Sequence, residues 1–217
     1  MSEALWASIR DGIWQTLAMT IISTLLSYLI GLPYGIILKT TGEGEIFQNK
    51  LIHGIFVFIA NVIRSVPFMI LLVFLIPFTR FIVGQSIGTK ACIVPLTIGT
   101  FPIVARMVEA SLNEVQPGII EAAKSMGATP VQMRTNFMLP ESMPSLVSGA
   151  AINLATVLGY SAMAGCIGGG GLGAIALNYG YYRYKTDVLM ITVVILIFIV
   201  QIFQESGNLL SRKIRHL

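Results

Sequence analysis

Ser161 is the residue of this chain that most resembles an enzymatic nucleophile, because it lies in the segment Gly159-Tyr160-Ser161-Ala162. A nucleophile elbow of the type Gly-x-Ser-x-Gly needs a second glycine two residues after the serine, and a histidine to act as base. Met163 occupies the place of that glycine, and the chain has only two histidines, His53 and His216, far apart in the sequence. An intramembrane serine hydrolase that uses Ser161 and His53 therefore stays as an alternative, without a recognisable triad.

Other enzymatic and metal-binding patterns are missing from the sequence. Cys92 and Cys166 form no CxxC motif and have no paired histidines, so no metal site is predicted. There is no Gly-x4-Gly-Lys-Ser/Thr sequence, the loop that cradles nucleotide phosphates. We therefore expect no catalytic residues and no cofactor in this chain, and any ATP-driven process would need a separate ATPase.

A polar segment, residues 109–141, has signals for two short helices with a sharp break. Pro117 suits the first turn of a helix, and Gly127 suits the left-handed position that follows a helix. Thr129-Pro130 has the form of an N-cap followed by a proline at the first helical position, and Leu139-Pro140 is expected to end the second helix. Such a hairpin could dock on a soluble partner or lie on the lipid surface, and the residues alone leave both open.

The composition indicates an integral membrane protein, because only 11% of the 217 residues are charged and the mean hydropathy is +0.80. At ~20 residues per span, we expect one all-α transmembrane domain covering residues 1–217. The predicted architecture has five transmembrane helices and a pair of short helices at about 117–140. The apolar runs predict spans at about 12–38, 55–78, 91–108, 143–164 and 188–204.

Basic residues predict the orientation of these five spans. Cytoplasmic loops of membrane proteins are enriched in lysine and arginine. The side that carries the polar segment has the larger share, which favours an N-terminus outside and a C-terminus inside. The basic residues assigned to the inside are Lys39, Lys50, Arg106, Lys124, Arg134, Arg212, Lys213 and Arg215, and those assigned to the outside are Arg10, Arg80, Lys90, Arg183 and Lys185.

Small residues predict where the spans pack on each other. Five hydroxyl residues at helical spacing, Thr16, Thr20, Ser23, Thr24 and Ser27, predict a face of the first span that contacts protein rather than lipid. Gly31 and Gly35 predict a close helix contact or simply a kink at Pro33. The series Gly165, Gly169, Gly173 favours a flexible loop, with a tight helix contact across a dimer axis as the alternative.

The polar segment resembles the cytoplasmic EAA loop of ABC importer permeases. The matching residues are Glu121, Ala122, Ala123, Gly127, Phe137, Leu139 and Pro140. The family usually has isoleucine at the position of Phe137, and the phenylalanine keeps it apolar. The resemblance implies that this loop forms coupling helices in a groove of an ATPase subunit, with Glu121, Ala122, Ala123, Gly127, Leu139 and Pro140 as the ATPase-coupling residues.

Four other segments resemble the permeases of methionine importers: 61–68, 159–163, 170–173 and 179–181. The resemblance implies a homodimer in the bacterial cytoplasmic (inner) membrane, two ATPase subunits that hold the ATP and Mg, and an extracytoplasmic methionine-binding protein. Five spans are also few to enclose a pathway, which favours a twofold dimer. A permease for another polar amino acid and a passive channel are the alternatives.

The candidate pathway or gate residues are Arg64, Ser65, Tyr160, Ser161 and Met163. Arg64 interrupts an apolar run, and an arginine at membrane depth is a functional candidate by default. It could meet the carboxylate of a substrate. Alternatively, it reaches the membrane interface or pairs with backbone carbonyls that are freed near Pro67.

Overall fold

The computed structural model describes residues 3–45 and 47–215, and short turns connect the helices that these residues form. The helices are α1 (Glu3–Thr41), α2 (Lys50–Ser65), α3 (Phe68–Phe74), α4 (Ile76–Val83), α5 (Thr89–Asn113), α6 (Pro117–Ser125), α7 (Pro130–Gln132), α8 (Leu139–Gly165), α9 (Gly171–Ile175) and α10 (Thr186–Arg215). Two π-helical turns, Met133–Met138 and Ala176–Tyr181, precede α8 and follow α9. The part of the chain that the structure describes is thus helical, in agreement with the predicted fold class.

Four stretches of the described chain are long and apolar enough to cross a membrane, and a bent pair makes a fifth candidate. The four are α1, α5, the continuous run Pro130–Gly165 and α10. Each contains one of the predicted spans, because a long uncharged run can satisfy its backbone in lipid only as a helix.

The second predicted span, 55–78, is not a straight helix. α2 ends at Ser65, α3 begins at Phe68, and the two axes meet at an angle of 102°. Val66 is extended, with φ −86° and ψ 124°, because the ring of Pro67 disfavours the helical conformation in the residue before it. The second predicted span therefore turns sharply within its length, and Arg80, which follows that span, lies on α4.

The centre of the molecule is the contact of α1 with α5 and α8. The five hydroxyl residues predicted to face protein are all buried. Ser27 and Thr100 share a hydrogen bond of 2.6 Å between their hydroxyls. A Cβ atom on Gly35 would lie 2.5 Å from the carbonyl oxygen of Ala105, so glycine permits the close approach. The close contact predicted at Gly35 is therefore present, and α1 continues through Pro33 to Thr41.

The glycine-rich segment packs tightly within one chain. Gly165 ends α8 and Gly173 lies on α9, and a Cβ atom on Gly173 would lie 2.4 Å from the carbonyl oxygen of Ala162. Side chains of α1 cap the start of α9, because Gly171 N–H donates to Gln15 Oε1 at 2.7 Å. The expectation of a flexible loop is therefore wrong for the two glycines that lie in helices.

Candidate functional site

Residues 117–132, which we call the polar hairpin, turn at Gly127. This residue has a φ of +76°, which glycine adopts without the clash that a Cβ atom brings. Gly127 N–H donates to the carbonyl of Lys124 at 3.0 Å, and Ala128 N–H donates to that of Ala123 at 3.1 Å. These two bonds are the Schellman motif, in which two residues beyond a helix satisfy its last carbonyls. The predicted break after α6 is confirmed.

A capping box begins the second helix of the polar hairpin immediately afterwards. Thr129 Oγ1 accepts a hydrogen bond from Gln132 N–H at 3.3 Å. Gln132 Oε1 in return accepts one from Thr129 N–H at 2.9 Å. Pro130 occupies the first helical position, where its missing N–H removes no bond. Ala128, whose N–H belongs to the Schellman motif, directly precedes Thr129, so local hydrogen bonds on both sides fix the angle between the helices.

The polar hairpin has one buried face and one exposed face. Ala123 is fully buried in a cluster with Val108 and Leu112 of α5 and with Met133, and this cluster attaches the hairpin to the transmembrane helices. On the outer side, Glu121, Ala122 and Gly127 are exposed. Two apolar side chains lie among them, Met126 with 68% and Val131 with 62% exposure.

The carboxylate of Glu121 makes no hydrogen bond and no ion pair with the residues that the structure describes. Its backbone carbonyl accepts a hydrogen bond from Ser125 Oγ at 3.0 Å, which is an ordinary contact within α6. Glu121 therefore caps no helix end within the described residues, and its role as an ATPase-coupling residue stays a prediction. The charge of this side chain is available to another molecule.

Leu139 and Pro140 do not end the second helix, contrary to the sequence prediction. The chain is helical from Pro130 to Gly165. The π-helical turn 133–138 lies directly before the proline, and the wider spacing of its hydrogen bonds accommodates a residue that lacks an N–H. Leu139 packs against the cluster around Ala123, whereas Pro140 is exposed at a cavity of about 670 Å³ that the hairpin, α5 and the end of α10 line.

A second cavity, of about 270 Å³, lies at the break between α2 and α3 and brings together two predicted pathway residues. Arg64 and Tyr160 both line it. The ring of Tyr160 stacks on Phe68, with 4.3 Å between the centroids and 8° between the planes. Arg64 is exposed, and so are Asn61 and Ser65 on the same side of α2. We call this cavity the break cavity.

The other predicted pathway residues do not line the break cavity. Ser65 Oγ donates to the carbonyl of Asn61 at 2.7 Å. Ser161 is buried, and its Oγ donates to the carbonyl of Leu158 at 2.7 Å. Met163 is 44% exposed. Their roles in a pathway stay predictions.

The geometry around Ser161 is unsuited to hydrolysis. Its hydroxyl proton is directed to a backbone carbonyl of its own helix, and no histidine contacts it among the described residues. His53 Nδ1 is instead 3.1 Å from the carbonyl oxygen of Leu38 and 3.4 Å from Thr41 Oγ1, at the end of α1. His216 lies outside the described residues.

Among the residues of the break cavity that the site prediction missed, Phe68 and Gly99 shape its aromatic wall. A Cβ atom on Gly99 would lie 3.2 Å from the ring of Phe68, so the glycine makes room for the ring that Tyr160 stacks on. The proline before Phe68 was the available signal, because a proline inside an apolar run indicates a broken helix. Nothing local to Gly99 indicates that it faces this ring.

Comparisons with known proteins agree on one family. The model of the family described as "Binding-protein-dependent transport system inner membrane component" matches residues 31–216. The chain is 47% identical over 203 residues to the probable D-methionine transport system permease protein MetI of Vibrio cholerae. That alignment covers 94% of this chain and 90% of the relative. It is 51% identical over 166 residues to the D-methionine transport system permease protein MetI of Escherichia coli K12, with 76% of each chain covered.

A solved structure has the same fold over nearly the whole length. A chain of the MetNI methionine ABC transporter in an inward-facing conformation superposes with a TM-score of 0.96 and 47% identity, covering 99% of both chains. An amino acid ABC transporter with histidines, at 22% identity and a TM-score of 0.79, shares the fold alone. The family model and the relatives each cover most of the chain, so it belongs to the binding-protein-dependent transport system inner membrane components, the multi-pass permeases of ABC importers.

Proposed function

We propose that this chain is the membrane-spanning subunit of an ATP-driven methionine importer, that it works as a homodimer, and that separate ATPase subunits dock on the polar hairpin. The observation that carries the coupling role is the hairpin itself. Two hydrogen-bonded end motifs fix its angle, and its outer face exposes Met126 and Val131 beside the unpaired charge of Glu121. Exposed apolar side chains on a rigid support are typical of a docking surface.

The cytoplasmic position of the hairpin is supported by its surroundings. The guanidinium of Arg134 lies 4.6 Å from the ring centroid of Phe47, so the connection between α1 and α2 is adjacent to the hairpin. Lys39, Lys50 and Lys124 belong to these same two segments. A concentration of basic residues on one side of the membrane favours the cytoplasmic side. An N-terminus outside and a C-terminus inside follow from this orientation.

The translocation pathway is proposed to pass along the polar side of α2. Asn61, Arg64 and Ser65 follow helical spacing, and all three side chains are exposed in the single chain. An arginine facing lipid at this depth is costly, so this side must face water or protein. Broken helices at membrane depth are tolerated where they line a cavity, and they mark substrate sites in transporters. A dimer that places this side on its axis would enclose the pathway.

Arg64 is the residue we assign to the substrate within this pathway. A guanidinium can form two parallel hydrogen bonds with the carboxylate of an amino acid. Tyr160 and Phe68 form an apolar wall of the same cavity, where a thioether side chain would make favourable contacts with an aromatic ring. The methionine assignment itself is supported by the names of relatives that are 43–51% identical.

The mechanism follows from the continuity of the helix from Pro130 to Gly165. ATP binding by the partner subunits draws the two hairpins of the dimer together. Because the second helix of each hairpin continues into α8, that motion is transmitted to Tyr160 and rocks the spans from inward-open to outward-open. A binding protein outside then delivers the substrate, and hydrolysis on the partner resets the inward-open state.

Reconstitution tests the proposal. Vesicles that contain this chain and its ATPase partner should take up methionine only when ATP and the binding protein are both present. The chain purified alone should hydrolyse no ATP. Methionine-stimulated ATP hydrolysis by the isolated chain would refute the division of labour, and uptake without ATP would indicate a channel instead.

A further inference from the structure

A small cavity of about 150 Å³ lies between the last turn of α1 and the π-helical turn that precedes α8. We call it the interface pocket. Its walls are apolar, from Ile36, Leu112, Met138 and Leu139. Two cationic side chains, Lys39 and Arg134, also line it. A pocket with apolar walls and cations suits a ligand that is itself apolar with an anionic group.

The two cations of the interface pocket differ in their internal partners. Lys39 has an ion pair with Glu45, which lies in the connection that follows α1. Arg134 lies over the ring of Phe47, and its Nε and Nη2 atoms are buried without a hydrogen-bond partner among the described residues. Buried charged donors without acceptors are costly, so the pocket is incomplete as it stands.

The unpartnered atoms of Arg134 define the shape of the missing group. Nε–H and one Nη2–H lie in the guanidinium plane and point outward from the same edge of it, so together they form a fork that fits two oxygens of one anion. A phosphate or a carboxylate fits this fork with two parallel hydrogen bonds. The ligand must therefore present a pair of anionic oxygens at the level of Arg134.

The position of the pocket indicates the source of that anion. Lys39 directly follows the predicted span 12–38 of α1, and the pocket places Arg134 beside it, so both cations lie where we expect lipid headgroups. We infer that the interface pocket holds the phosphodiester headgroup of an anionic phospholipid, whose acyl chains lie outside the pocket in the bilayer. Only the choice of the cytoplasmic leaflet rests on the proposed orientation; the site itself does not.

The test measures lipid binding to the full-length chain purified in detergent without an ATPase, so that a negative result leaves the transport proposal untouched. Native mass spectrometry follows the binding of phosphatidylglycerol and phosphatidylcholine. Wild type should prefer phosphatidylglycerol. Arg134→Gln should weaken phosphatidylglycerol binding about tenfold, since the loss of a charge-assisted fork is of that size. Phosphatidylcholine has the same phosphodiester but no net charge because of its choline cation, so it should bind wild type more weakly and lose less affinity in the variant.

Arg212→Gln is the matched control, because Arg212 is an exposed arginine near the end of α10 and does not line the pocket. It should bind both lipids as wild type does. Arg134→Lys keeps the charge and loses the fork, so it should have intermediate affinity, and it carries the test if the glutamine variant does not fold. Inorganic phosphate at millimolar concentration should not displace the lipid.

Three results would overturn the assignment. Equal phosphatidylglycerol binding by wild type and by the folded Arg134 variants would show that the fork does not hold the headgroup. Displacement of the lipid by inorganic phosphate would show that the pocket binds a free anion. If wild type binds no anionic lipid alone but Arg134→Gln loses affinity for the ATPase, a carboxylate of the partner fills the pocket and the lipid assignment is wrong.

Discussion

Substitutions at Gly127 test whether ATPase binding needs the ordered turn of the polar hairpin, because they change the backbone of the turn and leave the docking side chains in place. The residue has a φ of +76°, and a Cβ atom placed there would have open space around it, so a new side chain acts only through backbone strain. Alanine in the left-handed region costs ~1–2 kcal/mol, and asparagine less. Proline cannot adopt this φ and removes the N–H that donates to Lys124, a penalty on the order of 4 kcal/mol.

These penalties are to be compared with the free energy by which the two Schellman hydrogen bonds stabilise the ordered turn. At about 1 kcal/mol each, they favour the ordered turn by about 2 kcal/mol, which is a population of ~97%. Alanine leaves roughly 50–85% ordered, so affinity for the ATPase falls no more than about twofold. Proline leaves about 3%, and affinity falls about thirtyfold. Asparagine should behave as wild type.

The assay is the binding of the ATPase subunit to the purified permease, with size exclusion and circular dichroism to establish that each variant is folded. Gly118→Ala is the matched control within the same helix, because Gly118 has an ordinary φ and open space around its Cβ position. It should bind as wild type does. Binding of Gly127→Pro at wild-type strength would refute docking through the ordered turn. A loss as large for alanine as for proline would refute the strain calculation.

Three further predictions concern the membrane helices. Gly35→Ala would place a Cβ atom 2.5 Å from a backbone carbonyl of α5, and it should destabilise the protein by ~1–3 kcal/mol in thermal unfolding. Gly54→Ala, with open space around its Cβ position, should be neutral. Equal effects of the two substitutions would refute the close contact. Arg64→Gln should lower ATP-driven methionine uptake about tenfold without loss of the ATPase complex, and unchanged uptake would remove Arg64 from the pathway. Tyr160→Phe should retain uptake because it preserves the ring stack, whereas Tyr160→Ala should reduce it, and equal uptake by both variants would make the stack irrelevant.

Local chemistry explains which elements could be predicted from the sequence. The polar hairpin was predictable because Pro117, Gly127 and Thr129-Pro130 act within a few residues of themselves. The transmembrane helices were predictable because an uncharged run in lipid has few alternatives to a helix. The protein-facing side of α1 followed from its hydroxyl residues, whose spacing determines their common face.

Long-range packing explains what the sequence prediction missed. The break at Pro67 produces a bend of 102° because α3 packs on α5 and α8, where Phe68 meets Tyr160 and Gly99. None of these partners is near Phe68 in the sequence. Pro140 was interpreted as a helix end because proline usually is one, and the π-helical turn that carries the helix past it has no signature in these residues.

The correction at Pro140 changes how force would pass through the molecule. With a helix end there, the hairpin would be joined to the membrane by a hinge, and motion of a docked partner would be partly lost in it. Instead, one helical run from Pro130 to Gly165 bears both the second arm of the hairpin and Tyr160. Its 36 residues extend about 54 Å at the rise of an α-helix, enough to cross the membrane and reach a partner outside it. π-helical turns are frequent at functional sites, and this one lies between the docking surface and the membrane. The hairpin and the break cavity therefore lie at the two ends of one continuous helical run. Pro140, which we expected to end the helix between them, lies inside that run.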